Sequence, residues 1–359
     1  MKQILFEVTL AILLLVITDT QFSNITMANF TPNDVFFPAI IINSNGTISP
    51  EMGYIYRTGS DYFLTCDMSN YSLVIQCSNI TLDGKGHIIN GTLSSPYETL
   101  SVGLSLDHVT NVTVKDLEIA GFNNYDAVRI RNCSVCSIVR VKASTVNLQG
   151  GSANSILEST INWSMDIEGS QDNTITKNVI GRLALSGSNN NLVTDNNITN
   201  IIVQFCDSNK YYTNNFLSPN NSFQYYFSNK ESFWDNGSIG NYWLDYLTRF
   251  PNASEIGNSG IGNTPYEINQ VNQAWINGEY VNVTWILGHV IDHYPLLKPI
   301  TIERDLPSYS PSPSIAPASS AITLTIMLLI GITTVTIILA VLLSYITIRK
   351  RTIQTRNGT

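Results

Sequence analysis

Asn154-Ser-Ile-Leu-Glu-Ser-Thr-Ile161, Asn173-Thr-Ile-Thr-Lys-Asn-Val-Ile180, Asn191-Leu-Val-Thr-Asp-Asn-Asn-Ile198 and Asn209-Lys-Tyr-Tyr-Thr-Asn-Asn-Phe216 are four copies of one short pattern. Each places an Asn two residues before an apolar or aromatic residue, and each closes on a second, Ile161, Ile180, Ile198 or Phe216. The copies are 19, 18 and 18 residues apart. Cys136-Ser-Ile138 lies 18 residues before Asn154 and fits as an earlier copy, with looser ones at Asn79-Ile-Thr-Leu82 and Asn111-Val-Thr-Val114. A fixed step of this kind marks a stacked repeat.

Helical solenoid repeats are longer and use Ala, Leu and Glu, which are scarce here, and the Leu-x-Leu spacing of leucine-rich repeats is absent. Short runs of Ile, Val and Thr between Asn, Ser and Gly turns are strand signals. The spacing therefore predicts an all-β parallel β-helix over 37–230. Coils stacked about 4.8 Å apart pile like residues on like, so seven or eight coils span roughly 35 to 40 Å. Inward Ile and Val form the core, and Asn at matching turns stacks as amide ladders. The stretch 231–300 breaks the repeat and gathers Trp234, Tyr242, Trp243, Tyr246, Trp275 and Trp285. It is expected to cap the last open coil, with sugar stacking as the lesser role for its aromatics.

Composition agrees. Only 13% of the 359 residues are charged, against about a quarter in an ordinary soluble domain. Asn and Ile each supply roughly a ninth of the chain. A chain with 19 Lys and Arg against 27 Asp and Glu lacks the basic patches that nucleic acid requires. Its 43% apolar content excludes wholesale disorder.

The ends carry their own signals. Residues 1–22 read as a signal peptide, with Lys2 before an apolar run from Ile4 to Ile17. Residues 321–346 hold no charge and are long enough to span a bilayer, which predicts one transmembrane helix. Arg349, Lys350, Arg351 and Arg356 in the tail 347–359 place the C-terminus in the cytoplasm and the ectodomain outside. Between them, 304–320 alternates Pro with small hydroxyl residues and reads as an extended stalk.

Export sets the reading of the Cys and Asn residues. Glycosylation sequons begin at Asn24, Asn29, Asn45, Asn70, Asn79, Asn90, Asn111, Asn132, Asn162, Asn197, Asn220, Asn236, Asn252 and Asn282. Cys66 and Cys77 are the candidate disulfide. Cys133-Ser-Val-Cys136 lacks the second CxxC or His pair of a metal clip, and reads as reduced cysteines stacked inside the fold rather than a redox pair. Cys206 has no evident partner in the sequence.

Ser78-Asn-Ile-Thr-Leu-Asp-Gly-Lys-Gly-His-Ile-Ile-Asn-Gly91 resembles the opening coil of the NosD-like right-handed β-helix family. Tyr62-Phe-Leu-Thr65 and Asn111-Val-Thr-Val-Lys-Asp-Leu-Glu-Ile119 follow the same pattern. Phe233-Trp-Asp-Asn-Gly237, Gly240-Asn-Tyr-Trp-Leu-Asp-Tyr246, Gly260-Ile-Gly-Asn-Thr-Pro-Tyr266 and Asp292-His-Tyr-Pro-Leu296 are similar to its closing motifs. The likeness covers roughly 37–297 and implies a right-handed coil. With signal, sequons, stalk and span, the chain resembles archaeal-type membrane-anchored surface proteins. The resemblance also brings a copper-binding label, but His87, His108, His289 and His293 form no Met-rich or clustered set, so no copper site is expected. The family's acidic loop is Glu255-Ile-Gly-Asn-Ser-Gly-Ile-Gly-Asn263 here, too poor in carboxylates for a strong calcium site.

Many β-helices act on polysaccharides, so paired acids matter. The candidates are Asp126 with Arg129 and Arg131, Asp107 with His108, and Asp166 with Glu168. Alternation puts Arg129 and Arg131 on one outer face, as a plain solvated strand would. With no catalytic, metal or cofactor residue assigned, the sequence favours a non-catalytic surface protein that meets glycans or envelope proteins. A polysaccharide lyase, hydrolase or epimerase is the alternative.

Overall fold

A strand turns successive side chains to opposite faces, so Leu-Ser-Leu-Asp and Val-Arg-Ile-Arg each aim two apolar residues one way and two polar ones the other. The computed structural model describes residues 37–91, 102–122, 126–218, 224–225, 232–268, 273–276, 279–282 and 290–305. In it Leu104–Asp107 and Val128–Arg131 pair in parallel, Leu104 beside Val128 and Leu106 beside Ile130. The same pairing repeats coil upon coil. The chain is all-β, dominated by one long parallel sheet that winds as a solenoid.

Each coil carries three short faces. Face A stacks Tyr62, Leu82, Val114, Ile138, Ile156, Ile175, Val193 and Tyr211 in register. Face B stacks Ile89, Ile119, Ala143, Ile161, Ile180, Ile198 and Phe216. Face C carries two inward columns, one running Leu73, Leu104, Val128, Val146, Met165, Leu183 and Ile201. All of these are buried. Every position predicted as inward from the 18-residue step faces the core.

The corners hold the asparagines. Between faces C and A, Asn154, Asn173, Asn191 and Asn209 form a ladder in which the Oδ1 of Asn173, Asn191 and Asn209 each accepts from the amide Nδ2 and backbone N–H of the rung before it. A second ladder between A and B runs Asn178, Asn196, Asn214, Asn241. All eight are buried. Burying an amide is tolerable only when its groups are paired. The Nδ2 groups of all four second-ladder members, like those of Asn154, Asn191 and Asn209, also reach backbone carbonyls of the corners.

Next to the second ladder runs a column of left-handed residues: Asp116, Arg140, Glu158, Lys177 and Asp195, with φ of 55, 51, 53, 58 and 55°. Their charges alternate in sign from coil to coil. Arg140 grips Asp116 through Nε and Nη2 at 2.6 and 3.0 Å. Glu158 lies 3.6 Å from Arg140 and 3.8 Å from Lys177. This pairing offsets the backbone strain of about 1 kcal/mol that a left-handed non-glycine residue carries.

Aromatic rings close the C-terminal end. Trp234 stacks on Tyr211 at 4.2 Å, Trp243 on Phe216 at 4.4 Å and Tyr266 on Trp243 at 4.3 Å. Two antiparallel pairs follow, Tyr266–Ile268 with Val290–Asp292 and Gln273–Ile276 with Glu279–Asn282. The chain then turns back along face B. The Ile300 backbone exchanges two 2.9 Å hydrogen bonds with the Asn215 side chain, and Arg304 donates to Thr160 three coils earlier at 3.0 Å.

The signal segment, the span 321–346, the tail, most of the stalk, and Asn24, Asn29, Asn220, Trp285 and His289 lie outside the described residues. Among the described residues no helix is long and apolar enough to cross a membrane.

Candidate ligand-binding face

Coil register brings the scattered acids and arginines to one surface. On the outer side of face C, Arg129, Asn147 and Asp166 are direct neighbours in successive coils, as are Asp107, Arg131, Gln149 and Glu168. Every catalytic candidate of the sequence therefore lies on this face or its rim. Asp126 accepts from Arg129 at 2.8 Å. Asp166 accepts from Arg182 at 3.2 Å and from Ser164 at 2.8 Å. Asp107 lies 3.6 Å from Arg131 and 2.8 Å from the Nδ1 of His108. Glu168 accepts from Gln149 at 3.3 Å. Each carboxylate is thus held by a donor, which suits binding through hydrogen bonds better than proton transfer.

The corner between faces B and C contains what the sequence reading missed. Ala143 pairs with Ile161, but Thr145 pairs with Ser164, so Asn162 and Trp163 together oppose the single residue Ser144. The next coil returns to one residue, since Ile161 pairs with Ile180 and Ser164 with Arg182 around Gly181. This bulge is the extra residue of the 19-residue step. It turns Trp163 outward, leaving the residue 70% exposed. Gly181 makes room for it: a Cβ there would stand 2.5 Å from the Asn162 carbonyl oxygen and 2.7 Å from that of Trp163.

The histidines are dispersed. His87 pairs with Asp67 at 3.0 Å, His108 with Asp107 at 2.8 Å and His293 with Asp235 at 2.9 Å. Among the described residues no group of three or more His, Cys, Asp or Glu is placed to hold a metal ion. The loop 255–263 closes on itself, with Glu255 accepting from the Gly260 N–H at 2.7 Å and Asn263 from that of Ser254 at 2.9 Å.

No disulfide joins any of the cysteines, the candidate pair Cys66 and Cys77 included. Cys133 and Cys136 point into the core. The hydrogen bond between the two thiols holds Cys136 below the ordinary thiol value and, with burial, pushes Cys133 up. Cys136 stands where the next coil has Asn154, and its N–H donates to Asn154 Oδ1 at 3.0 Å. It is the first rung of the ladder.

The sequons divide from the ladders. Asn45, Asn79, Asn111, Asn132, Asn162, Asn236 and Asn252 are exposed, and Asn70, Asn90 and Asn197 half-buried. None of the eight ladder asparagines begins a sequon. Asn282 lies in the strand Glu279–Asn282.

The second ladder ends on Asp292, a buried carboxylate that accepts from the Asn241 N–H, Trp243 Nε1 and the Tyr294 N–H at 2.7, 2.9 and 3.0 Å. Burial outweighs these bonds and raises its carboxyl to about 7. Asp235 nearby is also part-buried, but the His293 hydrogen bonds outweigh burial and hold it below the usual carboxylate value.

The chain was compared with protein-family models, curated proteins and solved structures, and matches none of them.

Proposed function

We propose that this chain is an exported, right-handed β-helix of the NosD-like type, held at the cell membrane by one C-terminal span, whose face C binds a glycan or envelope partner without turning it over. The signal, the stalk and the basic tail after 321–346 support the topology. Exposure of the sequon asparagines fits glycosylation outside the cell. The observation that carries the binding reading is the tethering of the face C acids: Asp107, Asp126 and Asp166 each meet an arginine. Full-length protein on a glycan array, with and without calcium, tests it. Retention of a defined set of glycans is the expected result, and depolymerisation or epimerisation of an acidic polysaccharide would refute it.

The convergence of Asp126, Asp166 and Asp107 on one face favours a second reading, a carbohydrate-active enzyme. That reading requires turnover that Asp126→Asn abolishes.

A further inference from the structure

We infer that the corner around Trp163 is a saccharide-stacking site, whose occupant is a sugar unit of an external glycan lying across face C. The inference deepens the glycan-binding reading above and rests on it.

Two observations converge there. First, the only extra residue between the Asn154 and Asn173 rungs is spent on this bulge, and the next coil gives up a side chain at Gly181 to accommodate it. A tryptophan 70% exposed is the product. A bulge that merely absorbed an extra residue needs no tryptophan; bulges commonly re-aim a side chain. Second, the neighbouring outward positions of face C are polar. Asp166 and Arg182 on the adjoining rows are joined to each other at 3.2 Å, and the Arg182 side chain remains 42% exposed. Arg129 and Asp126 both lie two coils back.

A purely apolar partner would satisfy the indole and strand the charges. Nucleic acid would meet Asp126, Asp166 and Glu168. A pyranose supplies what both parts need: a C–H face for the ring and neighbouring hydroxyls for planar carboxylate and guanidinium groups.

The test uses full-length protein in detergent and a panel of immobilised neutral and uronic-acid hexasaccharides. At least one member is expected to bind. Trp163→Ala is expected to weaken that binding about tenfold, and Trp163→Phe to retain part of it. Deleting Trp163 restores the 18-residue coil and should abolish binding without lowering the melting temperature. Asn162→Gln should bind as the wild type does, and clearly tighter binding would mean that the ring serves the protein's own sugar, overturning the inference. Wild-type binding that survives Trp163→Ala overturns the site and leaves the glycan reading standing. No binding to any hexasaccharide overturns both.

Discussion

The backbone N–H of Asn241 donates to Oδ2 of Asp292 at 2.7 Å, so an amide ladder that climbs four coils ends on a carboxylate from a strand 51 residues later. The last amide of a stack otherwise faces outward with no acceptor. Asp292 ends the column, takes the Trp243 indole N–H as well, and ties the aromatic segment to the last coil.

Stability should therefore fall as pH rises from about 4 to 7. The Asp292 carboxyl titrates near 7 in the folded chain and near 3.8 when unfolded. In that window the folded state holds a proton that the unfolded state has lost, and the slope has the sign of that difference. The contribution is complete below 3.8 and gone above 7. Asp235 works oppositely but only in more acid solution, because its folded value is lowered from 3.8. Urea midpoints measured at pH 4.5 and 7.5 should differ in the wild type, and the difference should shrink in Asp292→Asn.

The two kinds of asparagine should respond differently to replacement. Asn191→Ala strips the acceptor from the Asn173 N–H and Nδ2, and one of the two donors from Asn209 Oδ1. Each buried group left unsatisfied costs about 1–3 kcal/mol, so a loss on the order of 3 kcal/mol is expected. Asn252→Gln, at an exposed sequon, should stay within about 0.5 kcal/mol. Chemical denaturation of the two variants checks the contrast.

Three glycines should rank by what surrounds them. Gly240→Ala drives a methyl into the Asp292 carboxylate, which is fixed by three N–H groups. Gly181→Ala presses on two carbonyl oxygens of the bulge. Gly169→Ala meets nothing within 4 Å and suffers only from its φ of +56°. Melting temperatures should fall most for Gly240, less for Gly181, and for Gly169 by no more than a loss of about 1 kcal/mol implies.

Removing the arginine of the alternating column exposes its dependence on charge. Asp116 is 1% exposed and is held by both nitrogens of Arg140. Arg140→Met should cost about 3 kcal/mol, since it leaves a buried carboxylate with only Lys115 at 4.0 Å. Arg140→Lys, which keeps the charge without the fork, should cost less. A urea titration of both variants separates the two contributions.

Much of the solenoid was legible because its signal is periodic. Asn154, Asn173, Asn191 and Asn209 announce a ladder by spacing alone, and Cys136 was recognisable as a copy even without the amide. The second column, Asn178, Asn196 and Asn214, stands in the same quoted lines. It went unread because its neighbours Asn197 and Asn215 blur the register. Asp292 could not be found by spacing, since its partner is fixed by how the chain returns rather than by a repeat. At the site, Asp107, Asp126 and Asp166 were recognisable as candidates. Their arrival on one face required knowing which coil carries an extra residue. The 19-residue step was visible, but only pairing register shows that Asn162 and Trp163 absorb it.

The return of residues 298–305 along face B decides how the molecule bears load. Tension applied from beyond Asp305 does not reach the last coil first. It falls on Arg304 at Thr160, then on Ile300 at Asn215, two contacts that open one after the other like a zip. The amide ladders lie deeper and would feel the pull only after that strip had come away. Under such a pull the C-terminal strip would part first and leave the coil stack whole.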